Sequence, residues 1–95
     1  MIEIQQFDSV WDAIEDDPEV AAHMKARSGL MIEIGQSVKS WHITQAASAK
    51  RLGLTQPRLN DLMRGKISKF SLDALLTIAQ RAGLHVEFKV ARPAA

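Results

Sequence analysis

Between residues 18 and 41 the apolar side chains recur at spacings of three, four or their sum: Val20, Met24, Met31, Ile34, Val38 and Trp41. One stripe at that period predicts an amphipathic helix. Asp16-Asp17-Pro18-Glu19 writes its start, with Asp17 as N-cap, Pro18 at the first helical position and acids beside the positive end of the dipole. Gly29 and Gly35 lie inside it and each costs about 1 kcal/mol relative to Ala, serving either close packing or a kink. Thr44 caps a second helix over 45–52, which Gly53 ends. Thr55 caps a third, with Pro57 in its first turn, where no backbone N–H is needed. That helix runs to about Arg64 and stops at Gly65. Residues 66–70 read as a loop. Ser71 caps a helix of about 72–82 with Leu72, Leu75, Leu76 and Ala79 on one face, and Phe70 is placed to staple onto Leu75.

After Gly83 the period changes to two. Leu84, Val86, Phe88 and Val90 alternate with His85, Glu87 and Lys89, the pattern of a half-buried strand over 84–90. At the other end, Ile2, Ile4 and Phe7 alternate weakly, as a short strand or a loose arm, and Ser9 to Ile14 reads as one or two turns of helix. The expectation is an all-α fold of about five helices with a C-terminal strand and room for a short N-terminal one. It divides into an acidic arm or short helix (1–17), a helical body (18–83), and a strand and tail (84–95). One or two strands do not make a stable sheet alone, so the terminal strand must pair with the N-terminal segment, a second copy or a partner protein.

Residues 44–66, TQAASAKRLGLTQPRLNDLMRGK, are two short helices and a tight turn. The crossing of two such helices needs a small residue, and Ala49 supplies it. The turn needs a residue that tolerates positive φ, and Gly53 supplies that. Leu52, Leu54, Leu59 and Leu62 stand at the offsets of the seam between them. This is how a helix-turn-helix DNA reader is written. A plain helical hairpin would pack in the same way, and the outward face of the second helix argues against it. Gln56, Pro57, Arg58, Asn60, Asp61 and Arg64 point away from Leu59 and Leu62. Gln can grip adenine, Arg can grip guanine and Asp can accept from cytosine. Gln56, Pro57, Arg58 and Asp61 are therefore the candidate base contacts. Gln45 opens the first helix of the pair, where a side chain and free amides can share a phosphate. Lys66 and Lys69 follow the second helix, where the DNA backbone passes. With Thr55, Asn60 and Arg64 they complete the candidate phosphate contacts. Exposed helix faces are polar in any case, so Lys50 and Arg51 also read as solvated surface.

The stretch from Met24 to Val90 resembles the Xre/Cro-type helix-turn-helix regulators, and within them the HigA-like antitoxins of type II toxin–antitoxin pairs. The resemblance rests on Met31-Ile-Glu-Ile-Gly35, Thr44-Gln45-Ala46, Leu52-Gly-Leu-Thr-Gln-Pro-Arg-Leu59, Leu62-Met-Arg-Gly-Lys66, Phe70-Ser-Leu-Asp73 and Gly83 to Val90. It covers about three quarters of the chain. It implies a lambda-repressor-like fold and a homodimer that binds palindromic double-stranded DNA and represses its own operon. A small basic toxin protein would be a second partner. It also implies that Gln45 touches phosphate while Gln56, Pro57 and Asp61 face bases. Pro57 has no hydrogen-bonding side chain, so it would read by apolar contact, such as a thymine methyl. Ala47 stands where such regulators often carry Glu, a lost capping box rather than a lost function.

Charge sharpens this picture. The net charge of +1 conceals a net of −6 over residues 1–33 and +7 over 34–95. A basic half fits nucleic acid and an acidic arm fits something else. At 95 residues the chain is one domain with a modest core, which dimerisation would help. There is no cysteine, which fits a reducing cytoplasm, and the acidic N-terminus is no signal peptide. No apolar run approaches the ~20 residues of a membrane span. His23, His42 and His85 share no metal-ligand spacing, no Ser–His or Cys–His pairing suggests a nucleophile, and no glycine-rich loop suggests a nucleotide. Trp11 and Trp41 read as core, with Trp11 alternatively an anchor for a partner. No metal, cofactor or enzymatic activity is expected. The alternative to a DNA-binding regulator is a module that docks or neutralises a partner protein through the acidic arm or the strand, with little specific DNA binding.

Overall fold

The computed structural model describes residues 2–4 and 17–93. In chain order it contains β1 (Ile2–Ile4), α1 (Pro18–Ser40), α2 (Gln45–Leu52), α3 (Gln56–Met63), a 3-10 turn (Ile67–Lys69), α4 (Leu72–Arg81) and β2 (Val86–Phe88). The fold is all-α with a small sheet formed by the two ends. The helix expected over Ser9 to Ile14, the rest of the acidic arm and Trp11 lie outside the described residues.

The helix starts follow from local chemistry. Asp17 accepts from the Glu19 amide, Thr44 from Ala47, Thr55 from Arg58 and Ser71 from Ala74, at 2.9–3.2 Å. Each cap satisfies an amide that the first turn leaves without a partner. The stops are equally local. Gly53, Gly65 and Gly83 all take positive φ. After each, the next amide reaches back to an earlier carbonyl: Leu54 to Ala49, Lys66 to Asp61 and Leu84 to Ala79.

The core is one cluster in which Leu30, Met31 and Ile34 of α1 meet Ala49 and Leu52 of α2, Leu59 and Leu62 of α3, Phe70, and Leu75, Ile78 and Ala79 of α4. Phe70 and Leu75 are both fully buried there, as the staple requires. The expected stripe of α1 faces the core over its C-terminal half: Met31 and Ile34 are buried, and Val38 and Trp41 pack against the cluster. Leu30 and Ala21, outside the stripe, are buried as well, and Val20 near the start of the helix is 37% exposed. α1 runs unbroken through Gly35, and the glycine faces Met63 of α3. The helix ends at Ser40, and His42 takes a left-handed φ of 52° to turn the chain toward α2.

β2 is shorter than the expected 84–90: the Leu84 amide is spent on the cap of α4, and the pairing with β1 covers Val86–Phe88 among the described residues. The two strands are parallel, with Ile2 opposite Val86 and Ile4 opposite Phe88. Of the three partners open to the terminal strand, the N-terminal segment therefore takes one edge.

Candidate nucleic-acid interface

α2 and α3 meet at a turn built around Gly53. Ser48 and Ala49 are buried at the crossing, where larger side chains would hold the helices apart. Gly53 sits at φ 69°, ψ 30°, and its amide reaches the Ala49 and Lys50 carbonyls. Arg81 of α4 donates to the Leu52 carbonyl at 3.2 Å and fills the space a Cβ on Gly53 would need. Only glycine meets both demands without strain.

On α3, Leu59 and Leu62 are buried, and Pro57, Asn60 and Arg64 form an exposed stripe on the opposite side, at spacings of three and four. Gln56 is exposed at the head of the helix, and Thr55 caps it. Gln45 is likewise exposed at the head of α2.

The other candidates are tied together. The Asp61 carboxylate lies 3.3 Å from Lys66 Nζ and 3.4 Å from Lys69 Nζ. Loss of solvent pushes its pKa up. The hydrogen bond from Lys66 and the charge of Lys69 oppose that and prevail, so the carboxyl stays below the ordinary aspartate value. Lys66 is held twice over, since its amide also donates to the Asp61 carbonyl at 3.0 Å. Arg58 turns back along the protein: Nη1 donates to the Lys69 carbonyl at 2.7 Å, and the guanidinium lies 4.0 Å from the centre of the Phe70 ring. Of the four candidate base contacts, Gln56 and Pro57 thus stand clear, while Arg58 and Asp61 hold the segment that carries Lys66 and Lys69.

Arg27 escaped the sequence reading. From α1 its Nη1 lies 3.5 Å from the Ile67 carbonyl and 3.4 Å from that of Phe70. Two arginines therefore grip three carbonyls of the 67–70 segment, Arg27 those of Ile67 and Phe70 and Arg58 that of Lys69. The only sequence signal was that Arg27 is one of two bases in an otherwise acidic N-terminal third. Arg51 stacks over Trp41 at 4.1 Å from the ring centre, which holds the start of the α1–α2 connection against α2. Among the described residues no three His, Cys, Asp or Glu side chains gather as a metal site, and no helix is long and apolar enough to cross a membrane.

A family model described as helix-turn-helix domain matches residues 13–91. The chain belongs to the helix-turn-helix domain family. The match spans both α2–α3 and the elements that support it, so the whole described body apart from the N-terminal strand is the family's unit. No curated protein matches the chain.

Proposed function

We propose that this helix-turn-helix protein is a sequence-specific DNA-binding transcriptional regulator that acts as a homodimer on a palindromic operator. The observation that carries the reading is the exposed stripe of α3, Gln56, Pro57, Asn60 and Arg64, opposite buried leucines and followed at once by a braced lysine segment. A recognition helix needs side chains free to meet base edges at one end and cations fixed near the phosphates at the other. Gln56 reads a base by paired hydrogen bonds, and Pro57 packs on a thymine methyl. Asn60 and Arg64 meet the walls of the groove. Gln45, Thr55, Lys66 and Lys69 fix register on the phosphates. Asp61 reads a base only by releasing the two lysines, and Arg58 is a positioning residue for the segment behind them.

On the likeness to HigA-like proteins, the operator lies upstream of the protein's own gene, repression is of its own operon, and a small basic toxin protein is a second partner. This is cytoplasmic, non-enzymatic work. A hydroxyl-radical footprint on that upstream DNA tests the proposal. Two protected half-sites about 10–10.5 base pairs apart, or a multiple of that, are expected. Uniform weak protection would refute it and favour the module that docks a partner protein. Copurification with the product of the neighbouring gene tests the antitoxin role separately.

A further inference from the structure

α1 and the end of α3 do not close on each other completely. Between them lies an open cavity of about 250 Å³. Its floor is apolar: Met31 and Leu62 are buried there, and Met63 is half-buried. Ile32, 59% exposed, forms an apolar lip. Gly35 keeps the space open. A glycine inside a helix is less stable than alanine, and the fold does not ask for one here. α1 is regular at this point, and an added Cβ would meet only the Met63 thioether, at 3.9 Å. A longer side chain would occupy the cavity. The rim is polar and of one sign. Gln36 and Lys39 are both exposed, Lys39 is the only charged residue of the lining, and it makes no ion pair among the described residues. Residues 35 and 39 lie one turn apart on one face, and helical side chains lean toward the N-terminus, so Lys39 leans back toward Gly35.

We propose that this cavity binds a small aromatic carboxylate, with the ring over Gly35 and the carboxylate at Lys39 and Gln36. Size sets the first limit. An apolar cavity of about 150 Å³ holds benzene, so this one takes a ring with a short side chain. The floor selects the ring. Two of its residues are methionines, whose sulfurs contact aromatic rings favourably and whose flexible chains adapt to a flat guest. The rim selects the charge. An ammonium and an amide at one end, with no acid in the lining, complement an anion, and a cationic guest would be repelled by Lys39. A polar guest without an apolar body would leave the floor uncovered. Spacing sets the length. One turn from Gly35 to Lys39 rises about 6 Å, close to the reach from ring centre to carboxylate in an arylpropionate. The site goes beyond the DNA-binding reading and does not depend on it.

Amide NMR titrations of the full chain, without DNA, decide it. The probes are phenylpropionate and its uncharged counterpart phenylpropionamide. Phenylpropionate is expected to shift the amides of residues 31–39 and 62–65, with half-saturation at about 1 mM or below. It is expected to bind about fivefold tighter than the amide, the worth of one exposed charge pair. Lys39→Met is expected to erase that preference and to leave the affinity for the amide as it was. Ile32→Glu sets a carboxylate at the lip and is expected to weaken phenylpropionate more than phenylpropionamide. Gly35→Leu fills the cavity and is expected to weaken both probes about tenfold or more. Lys39 and Ile32 are exposed, so their variants keep the fold even where Gly35→Leu does not. No saturable shift at about ten times the expected concentration would overturn the proposal. So would shifts centred elsewhere, equal affinity for the two probes, or a preference that survives Lys39→Met. Because the readout uses no DNA, failure here leaves the regulator standing. A protein that binds phenylpropionate in this way and gives no footprint would refute the regulator and leave the cavity site.

Discussion

The Arg58 guanidinium packs over the Phe70 ring at 4.0 Å and donates to the Lys69 carbonyl at 2.7 Å, so a residue of α3 is spent on bracing the segment that follows it. A cation on an aromatic face and a charged hydrogen bond each contribute on the order of 1 kcal/mol at a partly exposed site. Arg58→Ala is therefore expected to lower stability by about 1–2 kcal/mol. It should weaken binding to operator and to random DNA by similar factors, since the lysines lose their seat and no base contact is removed. Thermal melts and anisotropy on both duplexes check this. A loss confined to one base position per half-site would make Arg58 a base reader.

Arg27 braces the same segment from α1, through the Ile67 and Phe70 carbonyls. Lysine offers a point charge where arginine offers a planar fork that reaches two acceptors. Arg27→Lys is expected to cost about 1 kcal/mol in chemical denaturation and to raise amide exchange at residues 67–70. Unchanged exchange there would show that the segment holds its shape without this grip.

Asp61 neutralises the two lysines that the proposal aims at phosphate. Asp61→Asn is expected to raise affinity for random DNA several-fold and to steepen the salt dependence, because two cations are freed. The carboxyl titrates below its ordinary value, so it is fully ionised from pH 5 to 8 and lends no pH dependence there. Its contribution to stability is present above the unfolded-state pKa and is lost only as pH falls through the lower folded-state value. An NMR titration of the Asp61 carboxyl that showed a midpoint above that of an ordinary aspartate would contradict the pairing.

Two glycines should respond in opposite directions. At Gly35 an added Cβ would meet only the Met63 thioether, at 3.9 Å, an ordinary contact. Gly35→Ala is expected to stabilise α1 by about 0.5–1 kcal/mol. At Gly53 the backbone is left-handed, and a Cβ would run into Arg81. Gly53→Ala is expected to destabilise by about 1–2 kcal/mol. Urea midpoints of the two variants on the same side of the parent would contradict these local geometries.

The residues that set the helix ends were legible because their chemistry spans three positions or fewer: Thr44, Thr55 and Ser71 cap the helices whose starts they announce. Gly53, with Ala49, made the helix-turn-helix legible for the same reason. What escaped depends on distance in the chain. Arg27 meets carbonyls 40 and 43 residues away, and Arg58 meets one 11 residues away. An exposed helix face and one folded back onto a later loop read identically as sequence. On α1 the period picked out Met31, Ile34, Val38 and Trp41, but not Leu30, which lies beside the stripe and is buried where the other helices close on it. The strand was drawn too long because alternation persists through Leu84, whose amide belongs to a helix cap. Which α3 side chains touch DNA rests on the proposal and on the tests above.

The most direct test of the central claim is the ratio of affinities for the upstream duplex and a scrambled one, measured by fluorescence anisotropy at two salt concentrations. The account predicts binding about 10³-fold tighter to the upstream site, with steep salt dependence on both duplexes. It also predicts that Gln56→Ala cuts the ratio about 5- to 150-fold, the worth of one good base contact, while Lys66→Ala leaves the ratio unchanged. Equal, weak binding of the parent protein to both duplexes would contradict it, and α3 would then be scaffold rather than reader.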